Sequence, residues 1–76
     1  MSIEGQKELR QLGDAIRTGR NDLDVSQEDF AELSGLHRTY IGQLERGEKN
    51  VSFVNVLRIS RALKIKPSAL FKEAGL

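Results

Sequence analysis

Residues 27 to 46 read QEDFAELSGLHRTYIGQLER and predict two short amphipathic helices that meet at Gly35. The residues that share one face of each helix at helical spacing are Phe30, Ala31 and Ser34 in the first, and Ile41 and Leu44 in the second. Gly35 suits the connection, because glycine takes a positive φ without a side-chain clash. This stretch therefore predicts two packed helices joined by a tight turn.

The outward face of the second segment carries polar side chains that can read DNA. Arg38, Thr39 and Gln43 point away from the predicted core, and Gln43 follows the other two by about one helical turn. Arginine, glutamine and hydroxyl side chains can hydrogen-bond to base edges in the major groove. We predict that these three residues contact bases and that Arg38 reads guanine. A phosphate contact is the alternative for Arg38, because arginine serves both purposes.

Length and composition indicate one small domain. The chain has 76 residues, of which 38% are hydrophobic, and it has no cysteine. A core of this size is thin but adequate, and disulfides, thiolate nucleophiles and zinc–cysteine sites are excluded. No apolar run approaches the roughly 18 residues of a membrane span, and no secretory leader is recognisable. We expect a cytoplasmic protein without a membrane partner.

Charged residues are unevenly distributed along the chain, although the net charge is only +1. Residues 1–34 contain four basic and eight acidic residues, whereas residues 35–76 contain eight basic and three acidic residues. This asymmetry favours one face for an anionic partner. Ordinary solvated surface is the alternative, because halves of a sequence are not halves of a structure.

The chain before the motif predicts one longer helix. It is expected from about residue 6 to residue 22, and its apolar residues at helical spacing are Leu9, Leu12, Ile16 and Leu23. Gly19 in that helix is either a close helix contact or a tolerated weak position. Asp24 is expected in the turn that follows. Ser26 is expected to cap the next helix, with Asp29 as the acidic partner of a capping box.

The chain after the motif predicts two further helices. Residues 46–52 form a polar loop that ends in Ser52, a second helix cap. The stripe of the next helix consists of Phe53, Val56, Ile59, Ser60 and Leu63. Pro67 suits the first turn of a last short helix that contains Leu70 and Phe71.

Together these patterns predict an all-α protein of five helices with short connections and no strand. The third helix is expected at about residues 37 to 45. We expect one compact domain over residues 1–76, because no linker, repeat or low-complexity stretch interrupts it. The C-terminal helices, residues 52–74, are expected to serve the core and dimerisation.

Three segments resemble the helix-turn-helix family of the phage lambda and 434 repressors, also called the XRE-type family. They are SQEDFAELSGLHRTYIGQLERG at residues 26–47, LGDAIR at residues 12–17 and the pattern of residues 52–71. Within that family, residues 36–65 are most similar to controller proteins of restriction-modification systems. The resemblance implies a lambda-repressor-like fold and a sequence-specific transcriptional regulator. It also implies a homodimer that binds palindromic sites at the promoter of its own gene and the endonuclease gene.

The resemblance also implies which residues contact the DNA backbone. Gln27 lies where the family uses a glutamine to bond a phosphate beside a helix N-terminus, and an exposed glutamine without that role is the alternative. Arg46, Lys49 and Asn50 lie in the loop where the family grips the sugar-phosphate backbone. A solvated loop is the alternative there.

Two residues at the start of the third helix are further candidate phosphate contacts. Tyr40 has a ring that can pack on the rim of the core and a hydroxyl that can bond a phosphate. His37 could contact a phosphate or a base, although a merely exposed histidine is the simpler interpretation.

Arg20 and Glu45 lie where the family often has an ion pair that ties the first helix to the end of the third. One partner alone would leave a costly charge if buried. The resemblance therefore implies a structural role for both residues. Asp24 departs from the family, which prefers glycine at that turn.

A dimer is expected because one domain of this size offers too little surface for tight specific binding. The half-sites of a two-fold dimer would lie about 34 Å apart or a multiple of it. The residues expected at the dimer surface are Ile65, Phe71 and Leu76. Leu63 and Leu70 are expected to close the core instead.

Other classes of function need features that this sequence lacks. It has one histidine, no cysteine and no glycine-rich phosphate loop, so we expect no catalytic residue, metal site or cofactor. A protein-interaction module such as an antitoxin subunit is the main alternative, although only five residues follow Phe71 to wrap a toxin. A phage-type repressor is a second alternative. RNA polymerase is a candidate partner beside double-stranded DNA.

Overall fold

The computed structural model describes residues 4–76, and within that range it contains five α-helices and no strand. In chain order the helices are α1 (Gln6–Asp22), α2 (Gln27–Ser34), α3 (Arg38–Glu45), α4 (Phe53–Leu63) and α5 (Pro67–Glu73). The predicted all-α, five-helix fold is confirmed. The third helix begins one residue later than expected, because His37 has an extended backbone and forms its N-cap.

Side-chain caps start α2 and α4 where the sequence predicts them. Ser26 Oγ accepts a hydrogen bond from the Asp29 N–H at 3.0 Å, and Ser52 Oγ accepts one from the Asn55 N–H at 3.1 Å. Each bond satisfies an amide that has no partner within its helix. Among the described residues, the Asp29 carboxylate makes no bond back to Ser26, so the capping box is only half formed. Pro67 is the first residue of α5, as predicted.

The turns on either side of α2 contain residues with a left-handed backbone. Asp24 has a φ of 59° and Gly35 a φ of 72°, in agreement with the turns expected at both positions. The Leu36 N–H donates to the Ala31 carbonyl oxygen at 3.0 Å, which closes the end of α2. The chain therefore reverses sharply after Gly35, and α3 packs back against α2.

Buried side chains from all five helices and the residue after α5 form one core. Its members are Leu12, Ala15, Ile16, Phe30, Ala31, Ile41, Leu44, Ile59, Leu63, Leu70 and Ala74. Leu63 and Leu70 thus lie in the core, as expected. The placement of Phe53 in the buried stripe of α4 is wrong, because Phe53 is 72% exposed. It is the first residue of α4, ahead of the turns that pack on the core.

Two glycines let α1 approach its neighbours closely. A Cβ on Gly13 would meet the carbonyl oxygens of Leu44 and Glu45, the latter at 2.7 Å, so α1 and the end of α3 are in backbone contact. A Cβ on Gly19 would lie 2.9 Å from Cδ2 of Leu63. Gly19 is therefore a helix contact, but it faces the flexible end of a side chain. The sequence pattern alone does not identify Gly13 as a site of close contact between helices.

Arg20 and Glu45 form a buried ion pair that joins α1 to the end of α3. Arg20 Nε donates to Glu45 Oε2 at 2.7 Å, and Nη2 donates to Oε1 at 3.0 Å. Only 12% of the Arg20 side chain and 2% of the Glu45 side chain are exposed. Arg20 Nη1 also donates to the Val25 carbonyl oxygen at 2.9 Å, and Gln27 Nε2 donates to Glu45 Oε1 at 3.1 Å. The hydrogen bonds to Glu45 raise the pKa of Arg20.

We expect Gly13→Ala to destabilise the fold and Gly19→Ala to have little effect. Alanine favours a helix over glycine by about 1 kcal/mol at both sites. At Gly13 the added methyl group would push two backbones apart, with a net loss of about 1–3 kcal/mol, whereas at Gly19 the end of Leu63 can move. Denaturant unfolding of the two variants measures the difference. Equal stabilities would contradict the backbone contact at Gly13.

Glu45→Ala should lower the free energy of unfolding by about 3–5 kcal/mol, because it leaves the Arg20 guanidinium buried without a counter-charge. The matched control is Arg17→Ala, three residues earlier in α1. Arg17 pairs with Asp14 at the surface, and such a pair is worth less than about 1 kcal/mol. Thermal unfolding compares the variants. An unchanged melting curve for Glu45→Ala would remove the structural role assigned to the pair.

Candidate nucleic-acid interface

The outward face of α3 presents the three predicted base-contacting residues together. Arg38 and Thr39 are exposed in its first turn, and Gln43 is half-buried about one turn later. The Arg38 side chain is 67% exposed, and its Nη1 lies 4.0 Å from Glu28 Oε2, which is too far for a hydrogen bond. Among the described residues no side chain or carbonyl oxygen forms a hydrogen bond with the Arg38 guanidinium. Its N–H groups are therefore available to a base or a phosphate.

Tyr40 lies at the edge of this face with its ring packed on the core. Its hydroxyl donates to the Asn50 carbonyl oxygen at 3.4 Å and accepts from Asn55 Nδ2 at 3.1 Å. The ring therefore lies on the core rim, as expected. The hydroxyl also joins the loop after α3 to α4, which spacing along the sequence does not reveal because the three residues meet only in the fold.

Gln27 and His37 lie at the starts of α2 and α3. One of the two amide N–H groups of Gln27 is occupied by Glu45, which leaves the other for a phosphate. Its Oε1 would lie 3.6 Å from a Cβ on Gly42, so the amide is held against α3. His37 is exposed and makes no side-chain cap bond. Gln27 is thus oriented by the fold, and His37 is not.

The loop from Arg46 to Asn50 continues the face of α3. Its polar residues are exposed, whereas Gly47 is buried against α1. Gly47 has a φ of 71°, and a Cβ there would lie 2.9 Å from the backbone nitrogen of Arg10. Glycine is the residue that allows this close approach. The packing holds beside α3 the predicted phosphate contacts Arg46, Lys49 and Asn50.

Arg46 and Glu48 form an exposed ion pair within this loop. Arg46 Nε donates to Glu48 Oε2 at 2.8 Å, and Nη2 donates to Oε1 at 3.1 Å. The hydrogen bond from Arg46 lowers the pKa of Glu48, and the bond to Glu48 raises the pKa of Arg46. Because the pKa of Glu48 is lowered, the pair stabilises the fold at pH values above the usual carboxylate pKa. This stabilisation is lost as the pH falls through the lowered pKa. The pattern of the sequence does not predict a role for Glu48.

The exposed apolar surface is more widely distributed than the sequence predicts. Ile65 and Phe71 pack partly against the core, and Leu76 is 50% exposed. The other large exposed apolar side chains among the described residues are Leu33, Phe53 and Val54. The sequence does not predict the exposure of these three side chains, because helical spacing alone does not tell where a packed stripe ends.

Metal-binding clusters and membrane-spanning helices are not found among residues 4–76. No group of three histidine, cysteine or acidic side chains comes together there in a way that could hold a metal ion. None of the five helices is long and apolar enough to cross a membrane.

Comparison with known proteins matches residues 16–70 to the helix-turn-helix family. Control protein C.SmaI of Serratia marcescens is 43% identical over 65 residues, which cover 86% of this chain and 77% of that relative. Control protein C.BamHI of Bacillus amyloliquefaciens is 49% identical over 47 residues, which cover 62% of this chain and 58% of that relative.

A solved structure supports the same relationship. The crystal structure of the restriction-modification controller protein C.AhdI from Aeromonas hydrophila matches with a TM-score of 0.80 at 47% identity. The match covers 82% of this chain and 94% of that chain. The chain belongs to the helix-turn-helix family, and its relatives there include the control proteins C.SmaI and C.BamHI and the restriction-modification controller protein C.AhdI.

Proposed function

We propose that this chain is a sequence-specific DNA-binding regulator of transcription of the restriction-modification controller type. The observation that carries the proposal is the outward face of α3, where Arg38, Thr39 and Gln43 lie together above a buried scaffold. Similarity to control proteins over most of the chain supports it. No catalytic residue, metal or cofactor is part of the proposal.

In this proposal α3 enters the major groove. Arg38 donates to N7 and O6 of a guanine, and Thr39 and Gln43 contact neighbouring bases. The exposed guanidinium of Arg38 supports this role, because a bidentate contact needs two free N–H groups in one plane.

The residues on either side of α3 hold the DNA backbone. The proposed phosphate contacts are Gln27, His37, Tyr40, Arg46, Lys49 and Asn50. The position of Gln27 at the N-terminus of α2 favours a phosphate, because unpaired amides and the helix dipole attract an anion there. The assignment of phosphate contacts to the Arg46 to Asn50 loop is supported by the exposure of its polar residues and by its packing beside α3.

The active form is a homodimer on a palindromic operator, with Ile65, Phe71 and Leu76 at its interface. Partial exposure of all three residues supports this assignment. We further propose that the dimer acts in the cytoplasm at the promoter of its own gene and the endonuclease gene, with RNA polymerase as the partner that responds to it.

An antitoxin-like interaction module is the second candidate. Exposed apolar side chains such as Leu33 and Phe53 would serve a protein partner. However, that function does not need base-reading side chains on α3, and the close relatives are control proteins.

Arg38→Ala should relax base preference at one operator position, with a loss of about 1–3 kcal/mol of discrimination. Lys49→Ala should weaken binding to all sequences alike. It should also reduce the slope of the logarithm of the affinity against the logarithm of the salt concentration by the amount of about one phosphate contact. The operator is first selected from a genomic fragment library at fixed salt, and each variant is then titrated against it and against unrelated DNA. Arg17→Ala removes the same charge from α1 and is the control.

Two outcomes of that experiment would count against these assignments. If no palindromic sequence is selected and the affinity does not depend on sequence, the chain is not a specific regulator. If Lys49→Ala relaxes base preference and Arg38→Ala only lowers the overall affinity, the two residues have exchanged roles.

Leu76→Glu should weaken the dimer by roughly tenfold or more, because it places a charge in the proposed apolar interface. The core should tolerate it, since Leu76 is half exposed. Leu33→Glu, at another exposed leucine, is the matched control and should leave self-association unchanged. Sedimentation equilibrium gives the dissociation constants. Dissociation by Phe53→Glu and not by Leu76→Glu would move the interface to the start of α4.

A further inference from the structure

Among the predicted phosphate contacts within residues 4–76, Arg46 is the one whose charge is already paired. Its Nε and Nη2 bind the two carboxylate oxygens of Glu48 at 2.8 and 3.1 Å. Its Nη1 faces α3, where it would lie 3.2 Å from a Cβ on Gly42. The guanidinium therefore lies between Glu48 and the backbone of α3, at the edge of the candidate DNA surface.

The Arg46–Glu48 pair is open to exchange with an external anion. The two side chains are 56% and 52% exposed, and an ion pair exposed to this extent contributes little to stability. The parallel two-point geometry with which arginine binds a carboxylate is also the geometry with which it binds a phosphate. A DNA phosphate and the Glu48 carboxylate would therefore use the same N–H groups.

Among the described residues, no other carboxylate near this surface forms a hydrogen bond with an arginine of the proposed interface. Glu45 is buried and is bound by Arg20 and Gln27. Glu28 is exposed, but it lies 4.0 Å from Arg38 and forms no hydrogen bond with it. Of these three acidic residues, Glu48 is the one that both faces solvent and hydrogen-bonds an arginine of the proposed interface.

We propose that the Glu48 carboxylate competes with DNA for Arg46. It thereby lowers the affinity of the protein for DNA, whatever the DNA sequence. This inference rests on the proposed DNA-binding function. Near a duplex, Arg46 either exchanges Glu48 for a phosphate or keeps it and carries a carboxylate against the backbone. Both outcomes oppose binding. Because sequence-independent binding is almost entirely electrostatic, Glu48 limits the time spent on DNA outside the operator.

Glu48→Gln tests the proposal by removing the charge with little change of shape. The affinity for the selected operator and for an unrelated duplex should both rise, by about three- to fivefold at low salt and less at high salt. Glu32→Gln removes the same charge from an exposed site on α2 and should change the affinity by less than about twofold. An unchanged affinity overturns the proposal. A lower affinity also overturns it, because Glu48 would then orient Arg46 towards the phosphate.

The Arg46→Gln background separates competition from general charge repulsion. Without the guanidinium, Glu48 no longer occupies a group that could bind a phosphate. Glu48→Gln should therefore raise the affinity much less in this background. An equal rise in both backgrounds overturns the proposal, because Glu48 would then act only as a negative charge near DNA.

A measurement without DNA distinguishes failure of this inference from failure of the proposed function. In NMR spectra of the free protein, the Nε–H of Arg46 should exchange with water more slowly in the wild type than in Glu48→Gln. Equal exchange rates overturn the ion pair and the inference, whatever the chain binds. If the wild type binds no duplex, the proposed function is overturned and the inference with it, even where Arg46 is protected.

Discussion

The guanidinium of Arg20 and the carboxylate of Glu45 meet out of water, and the position of α3 depends on that contact. Neither charge could remain buried alone, so α1 and the end of α3 must stay together. The Val25 carbonyl oxygen and the Gln27 amide make further hydrogen bonds to the pair. One charge pair thus orients both helices of the motif, and the close approach at Gly13 allows it.

The chain uses arginine–carboxylate pairs in two opposite ways at neighbouring positions. Glu45 and Arg46 are adjacent in sequence, yet Glu45 points into the scaffold and Arg46 lies at the surface. The buried pair of Glu45 is costly to break, because separation leaves an uncompensated charge. The exposed pair of Arg46 can exchange with solvent ions or with an external anion at little cost. Burial, and not the chemistry of the groups, decides between scaffold and exchangeable contact.

Much of the candidate site could be predicted from the sequence, because its main features repeat with the period of a helix. The grouping of Arg38, Thr39 and Gln43 on one face of α3 follows from spacing alone. The partner of Arg46 was not predicted, since a charged loop residue has many possible partners and only the fold selects one. The hydrogen bonds of Tyr40 to the loop and to α4 were not predicted from the sequence, for the same reason.

By itself the sequence determined the five helices, their serine caps and the reversal at Gly35, because these depend on residues a few positions apart. Only the tertiary structure decided that Gly13 touches the backbone of α3, that Phe53 stays in solvent and that Glu48 holds Arg46. Each of these depends on which surfaces meet or remain uncovered when the helices pack, and local periodicity carries no information about that.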